Sequence, residues 1–212
     1  MTKPEFILDV LDTMYPNAHV ELTHQNHFEL LVAVVLSAQT TDVSVNKVTP
    51  KLFQTYPTPE ALSLADPKDV EMLIKTIGLY KMKAKNIILL SKVLVDQYNS
   101  AVPRTRKELE LLPGVGRKTA NVVLSNAFNV PALAVDTHVN RVSKRLRLAK
   151  EQDDVLTIEK KLMRKFPKSS WTKLHHQLIF FGRYHCNAKN PKCFNCPLFS
   201  VCGYKDKKLR KN

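Results

Sequence analysis

The feature that most limits the fold is a helical hydrophobic period cut into short lengths by proline. In "PEFILDVLDTMY", Phe6, Ile7, Val10, Leu11 and Met14 fall on one stripe, as an amphipathic helix requires. Similar periods predict helices over 27–38, 42–55, 67–76, 81–98, 104–112, 116–128, 137–149, 151–166 and 171–184. Pro57, Pro59, Pro67, Pro103, Pro113, Pro131 and Pro167 stand at or near the gaps. There a missing N–H and a fixed φ stop one helix or start the next. "TPEALSLADPKDVEMLI" reads as two short helices, with Thr58 and Asp66 as caps and both prolines in first turns. "FELLVAVVL" at 28–36 also suits a buried strand, but no partner strand is in view, so it is read as helix. The expectation is an all-α protein, with a soft boundary near "NVPALAVDT" at 129–137, where the period lapses.

Charge narrows the partners. The 212 residues include 33 Lys or Arg against 19 Asp or Glu, a net +14. Such a surface attracts polyanions, nucleic acid first and anionic membrane second. The longest apolar run is too short to span a bilayer and contains Glu29. The N-terminus lacks the basic start, long apolar stretch and cleavage site of a signal peptide. A soluble cytoplasmic protein is expected, without membrane attachment, and the segment "YKDKKLRKN" at 204–212 is expected to fray.

All four cysteines lie within 186–202, spaced C-x6-C-x2-C-x5-C as Cys186, Cys193, Cys196 and Cys202. Such clustering argues against both scattered disulfides and unrelated buried thiols. Four thiolates can hold one structural zinc. A single C-x2-C step with two isolated cysteines fits a [4Fe–4S] cluster equally, so spacing leaves both open. Lys189 and Lys192 sit in the segment enclosed by the first two cysteines, placed to contact phosphate.

"TRKELELLPGVGRKTANVVLSNAF" reads as a helix, a Pro-Gly reversal and a second helix, about 105–128. Gly114 and Gly116 are two of only five glycines, and both are expected to supply positive φ and close backbone approach. Free N–H groups leading into a helix N-terminus make an anion site suited to a DNA phosphate, with Arg117 beside it. A cation at the positive end of a helix is disfavoured, which biases Lys118 toward the neutral amine that a Schiff-base nucleophile needs. Asp136 stands where a helix cap is expected. If it faces Lys118, it can also assist proton transfer and stabilise positive charge on a sugar ring. The helix after it carries Arg141, Lys144, Arg145, Arg147 and Lys150 without an acid between them, more cations than an ordinary solvated face.

"LPGVGRKTANVVL", "VDTH" and the cysteine segment together resemble the endonuclease III family of DNA glycosylase/AP lyases. "LSAQTTDVSVNK" and "GLYKMKAKNI" resemble it as well, so the likeness runs nearly the full length. It implies the helix–hairpin–helix glycosylase fold: a six-helix barrel over 20–130, and a second helical domain from 1–19 and 131–212. Between them would lie a DNA-binding cleft. It implies a [4Fe–4S] cluster rather than zinc on the four cysteines, Lys118 as nucleophile and Asp136 as catalytic aspartate. By the same likeness Gln39 and Leu79 fill the gap left by a flipped nucleotide, and His138 contacts DNA. The implied partner is double-stranded DNA bearing oxidised pyrimidines or abasic sites, bound by a monomer. Two further readings are an adenine-mismatch glycosylase and a non-catalytic DNA-binding metalloprotein.

Overall fold

Capping chemistry sets where the helices start. The computed structural model describes residues 1–207. Among these are eleven α-helices and no strand, which makes the fold all-α as the period predicts. The chain divides into two compact units, Glu21–Val130, and Met1–Val20 with the described residues from Pro131 on.

The first unit holds α2 (His27–Leu36), α3 (Asp42–Thr55), α4 (Pro59–Ser63), α5 (Pro67–Ile74), α6 (Tyr80–Tyr98), α7 (Arg106–Leu109) and α8 (Arg117–Ala127). Helix α2 is apolar on every side and buried from Phe28 to Leu36, so it forms the centre, packed by α3, α6 and α8. Glu29 is tolerated there because its carboxylate accepts the Gln25 N–H at 2.7 Å, while Asn26 caps the Glu29 N–H at 2.9 Å. Asn26, Thr41, Thr58, Asp66 and Thr105 cap α2, α3, α4, α5 and α7 through side-chain oxygens. Helices α6 and α8 have no side-chain cap.

The second unit holds α1 (Lys3–Met14), α9 (Thr137–Arg145), α10 (Val155–Lys165) and α11 (Trp171–Phe180), followed by a π turn over Phe181–His185. Ile7 and Leu11 of α1, Val139 and Val142 of α9, Ile158 and Leu162 of α10, and Leu174 and Leu178 of α11 share one core.

Several predicted boundaries shift for local reasons. The helix expected over 104–112 is regular only from Arg106 to Leu109, because Leu111 and Leu112 fold into i→i−3 turns before Pro113. The one expected over 137–149 ends at Arg145. There the Leu148 N–H reaches Ser143 O at 2.8 Å and the Arg147 N–H reaches Lys144 O at 2.9 Å, a Schellman closure. The helix expected from 151 starts at Val155, where Asp154 caps it. In the segment expected to fray, Tyr204 lies under Arg145, and Lys207 Nζ donates to Phe199 O and Cys202 O at 3.1 and 2.8 Å. The rest of that segment, 208–212, lies outside the described residues.

Candidate functional site

In the Glu21–Val130 unit, Leu112-Pro113-Gly114-Val115 forms a type II turn, closed by the Val115 N–H to Leu112 O at 3.0 Å. Gly114 takes φ +78 at its third position, and a Cβ there would stand 3.0 Å from Asn86 Nδ2 and 3.2 Å from Val35 Cγ1. The turn thus packs onto α2 and α6, and only glycine meets both demands. Gly116 departs from expectation. Its φ is −98, and a Cβ would meet nothing within 4 Å. It is the backbone cap of α8, and the space beside it is open. Arg106 Nε donates to Asn121 Oδ1 at 2.9 Å, which ties α7 to α8.

The first-turn N–H groups of α8 have no intrahelical acceptor, and no side chain caps this end. Lys118 is exposed and Arg117 half-buried at that turn. An anion is the natural complement of such an end.

Gln39 and Leu79 share an uncommon backbone. Both are left-handed, at φ 54 and φ 58, and both are exposed, Leu79 at 52%. Bulky residues in this region are rare, and each costs ~1–3 kcal/mol that the surroundings must offset. Gln39 follows the end of α2, and Leu79 directly precedes α6. Sequence reasoning missed the residue that joins them. Lys83, in the first turn of α6, is only 2% exposed and donates from Nζ to Thr40 Oγ1 at 2.6 Å. Burial holds this lysine below its ordinary pKa.

In the other unit, Asp136 Oδ1 accepts the Val139 N–H at 2.7 Å and caps α9. Its second oxygen is not used by the cap. His138, half-buried, meets Arg141 Nη2 through Nδ1 at 3.2 Å. Arg141 Nη2 also donates to Gly182 O at 2.8 Å, and Arg141 Nε to Cys186 O at 3.3 Å. Arg145, 8% exposed, donates to Asn187 O at 2.7 Å, to Ala188 O at 3.0 Å and to Cys186 Sγ at 3.3 Å. Two of the five cations expected on a charged face therefore turn inward and grip the cysteine segment. Lys189 and Lys192 on that segment are exposed.

None of the four cysteines is disulfide-bonded, and all four border one small cavity walled by Leu146, Phe181 and Phe199. Burial pushes the Cys196 thiol up to about 11 and raises that of Cys186.

Comparison with known proteins places the chain. A family model described as HhH-GPD superfamily base excision DNA repair protein matches residues 32–168. The chain is 56% identical over 207 residues to endonuclease III of Bacillus subtilis (strain 168), covering 98% of this chain and 94% of that one. It is 48% identical over 201 residues to endonuclease III of Escherichia coli (strain K12), covering 95% of each. A solved structure described as a trapped endonuclease III–DNA covalent intermediate, an estranged-adenine complex, superposes with a TM-score of 0.92 at 55% identity over 96% of each chain. These matches run through both units, and the chain belongs to the endonuclease III family of HhH-GPD base excision DNA repair proteins.

Proposed function

We propose that this DNA glycosylase/AP lyase removes oxidised pyrimidines through a Schiff base on Lys118, with Asp136 acting on the same nucleotide. The observation that carries the reading is the start of α8, where an exposed lysine stands at an uncapped, electropositive helix end directly after a Pro-Gly turn. The trapped covalent intermediate of the endonuclease III relative supports extending covalent chemistry to this lysine.

The turn and the α8 amides hold a backbone phosphate, with Arg117 adding charge. The sugar C1′ is inaccessible in a stacked duplex, so the damaged nucleotide must leave the helix, and Gln39 and Leu79 fill the gap. The Lys118 amine then attacks C1′. The N-glycosidic bond breaks, its electron pair departs with the base, and the base gains a proton. The free carboxylate oxygen of Asp136 offsets the positive charge developing on the sugar. Loss of a proton from nitrogen and opening of the sugar leave an imine. The imine acidifies the C2′ proton, and its removal expels the 3′ phosphate by breaking the C3′–O bond. Water hydrolyses the imine and frees Lys118.

The cysteine segment fits a [4Fe–4S] cluster. Four free thiols around one cavity supply a full ligand set. When bound, the cluster would supply four metal–thiolate bonds that pin the loop carrying Lys189 and Lys192. Among the described residues no helix is long and apolar enough to cross a membrane. The adenine-mismatch and non-catalytic readings are not favoured, since these relatives are endonuclease III proteins.

Borohydride reduction in the presence of an abasic-site duplex tests the chemistry. A covalent adduct is expected with the native protein and none with Lys118→Ala. No adduct from the native protein would sink the lyase reading. Asp136→Asn should bind lesion DNA yet turn over slowly, and normal turnover would leave Asp136 as a helix cap only.

A further inference from the structure

The cations after Asp136 divide by what they touch. Arg141 and Arg145 grip the cysteine segment, whereas Lys144, Arg147 and Lys150 border a concavity of about 810 Å³. Arg164 and Lys165 of α10 and Lys205 complete its basic wall. With Arg145 and Lys161, eight basic side chains line it against two acids, Glu151 and Asp206. Arg145 is committed to the loop and Lys161 pairs with Asp153, but the other six form no ion pair with a described residue. Like charges held around one hollow oppose folding, so something other than stability accounts for them. Lys3 feels the same field. It is held below its ordinary value first by burial, then by Arg147 and Lys165.

Arg147 is the best-built of the set. It occupies the position of the Schellman closure that glycine usually takes, with φ 55. It also requires a bare backbone opposite, since a Cβ on Gly203 would stand 2.0 Å from Arg147 Nε and 2.5 Å from its Cγ. Two positions thus give up ordinary side-chain choices to hold one guanidinium at the hollow. The apolar residues in the wall offer no anchor for a peptide, because Leu148 and Ala149 are buried and Tyr204 lies beneath Arg145 at 4.0 Å. Recognition here is by charge, from six cations without ion pairs rather than one, which suits a chain of phosphates rather than one anion.

We propose that this groove binds the phosphate backbone of a second DNA segment, separate from the one that holds the reacting nucleotide. Helix α9 runs from Thr137 to Arg145. At 1.5 Å per residue, its groove end stands ~12 Å from the Asp136 end. The proposal goes beyond the lysine chemistry and shares with it only DNA as partner.

The test uses the full chain, a short abasic-site duplex trapped by borohydride, and a fluorescent undamaged duplex titrated into the adduct. Native adduct should capture the second duplex, whereas Lys144→Gln/Lys150→Gln/Arg164→Gln adduct captures it weakly while excising at the native rate. With a salt slope near −0.9 per phosphate, a fourfold rise in salt should weaken native capture ~10³-fold for six contacts. The same rise should weaken capture by the triple variant only ~40-fold for three. Equal capture by both proteins, or none by the native adduct at low salt, overturns the proposal. Binding of poly-glutamate without binding of DNA assigns the groove to an acidic protein and also overturns it. Adduct yield is read in the same tube, so failure of the lysine chemistry stays distinguishable from failure of the groove.

Discussion

Replacing Lys83 with methionine should leave the fold at least as stable while slowing excision. Lys83 is 2% exposed, and its Nζ donates to Thr40 Oγ1 at 2.6 Å. A charge-assisted bond of this kind contributes ~1.5–3 kcal/mol. The left-handed Gln39 beside Thr40 costs ~1–3 kcal/mol. The two are of one size, so the tether is about what the turn needs to keep Gln39 in its exposed conformation. Removing it should let the turn relax and deplete the exposed Gln39 conformation, which the proposed gap filling needs, ~10–100-fold, at ~1.4 kcal/mol per decade. Stability should move the other way. Methionine of similar volume carries no charge to desolvate, and the relaxing turn releases the strain at Gln39, so the lost bond is offset. Thr40→Val strands the ammonium instead and should destabilise, and adding Lys83→Met should then cost nothing further. Single-turnover excision on a thymine glycol duplex, with urea titration alongside, reads both effects. Lyase activity on a single-stranded abasic oligonucleotide, which needs no gap filled, should be spared. A destabilised Lys83→Met protein with an unchanged excision rate, or an equal loss on single strands, would refute the reasoning.

Four other outcomes follow from the same structure. Gly114→Ala must carry φ +78 and contacts of 3.0–3.2 Å to Asn86 and Val35. It should lose ~2–5 kcal/mol in urea titration, from the left-handed penalty plus overpacking. Gly116→Ala meets nothing and should be nearly neutral in stability but weaken DNA binding, while unchanged affinity would argue against a phosphate beside it. Asp12 joins α1 to α11 through Lys173 and Gln177, and these hydrogen bonds hold its carboxyl below the ordinary aspartate value. A depressed folded value means the stabilisation is present above the unfolded pKa of ~4 and is lost as pH falls through the folded one. Asp12→Asn should therefore be less stable than native at pH 7, with the gap closing in acid; a gap that persists at pH 2 would contradict this. Arg145→Lys cannot reproduce the fork that holds Asn187 O, Ala188 O and Cys186 Sγ. If the cysteines hold the proposed [4Fe–4S] cluster, its visible absorption should fade faster under chelator in this variant, and amides over 186–192 should exchange faster; native rates in both would exclude that anchoring role.

What the sequence made legible was whatever neighbours in the chain decide. Thr58, Asp66 and Asp136 cap as read, because a cap bonds an amide two or three residues on. Gly114 takes positive φ because Pro113 sets the turn. Gly116 was misread for the same reason: its local pattern is glycine-like, but only the emptiness beside it explains its use. The lysines in "GLYKMKAKNI" show the limit most clearly. Lys81, Lys83 and Lys85 alternate along the chain, yet only Lys83 turns inward with Ala84, because helical phase against the core decides burial. The same phase sorts the cations of α9 and the closure after it. Arg141 and Arg145, four residues apart, share the face that meets the cysteine segment, while Lys144 and the left-handed Arg147 are swung to the groove. Composition reports one basic stretch, +14 overall. Packing divides it into two instruments, one that fixes a loop and one that leaves charge unneutralised, and only unneutralised charge can release counterions to bind DNA.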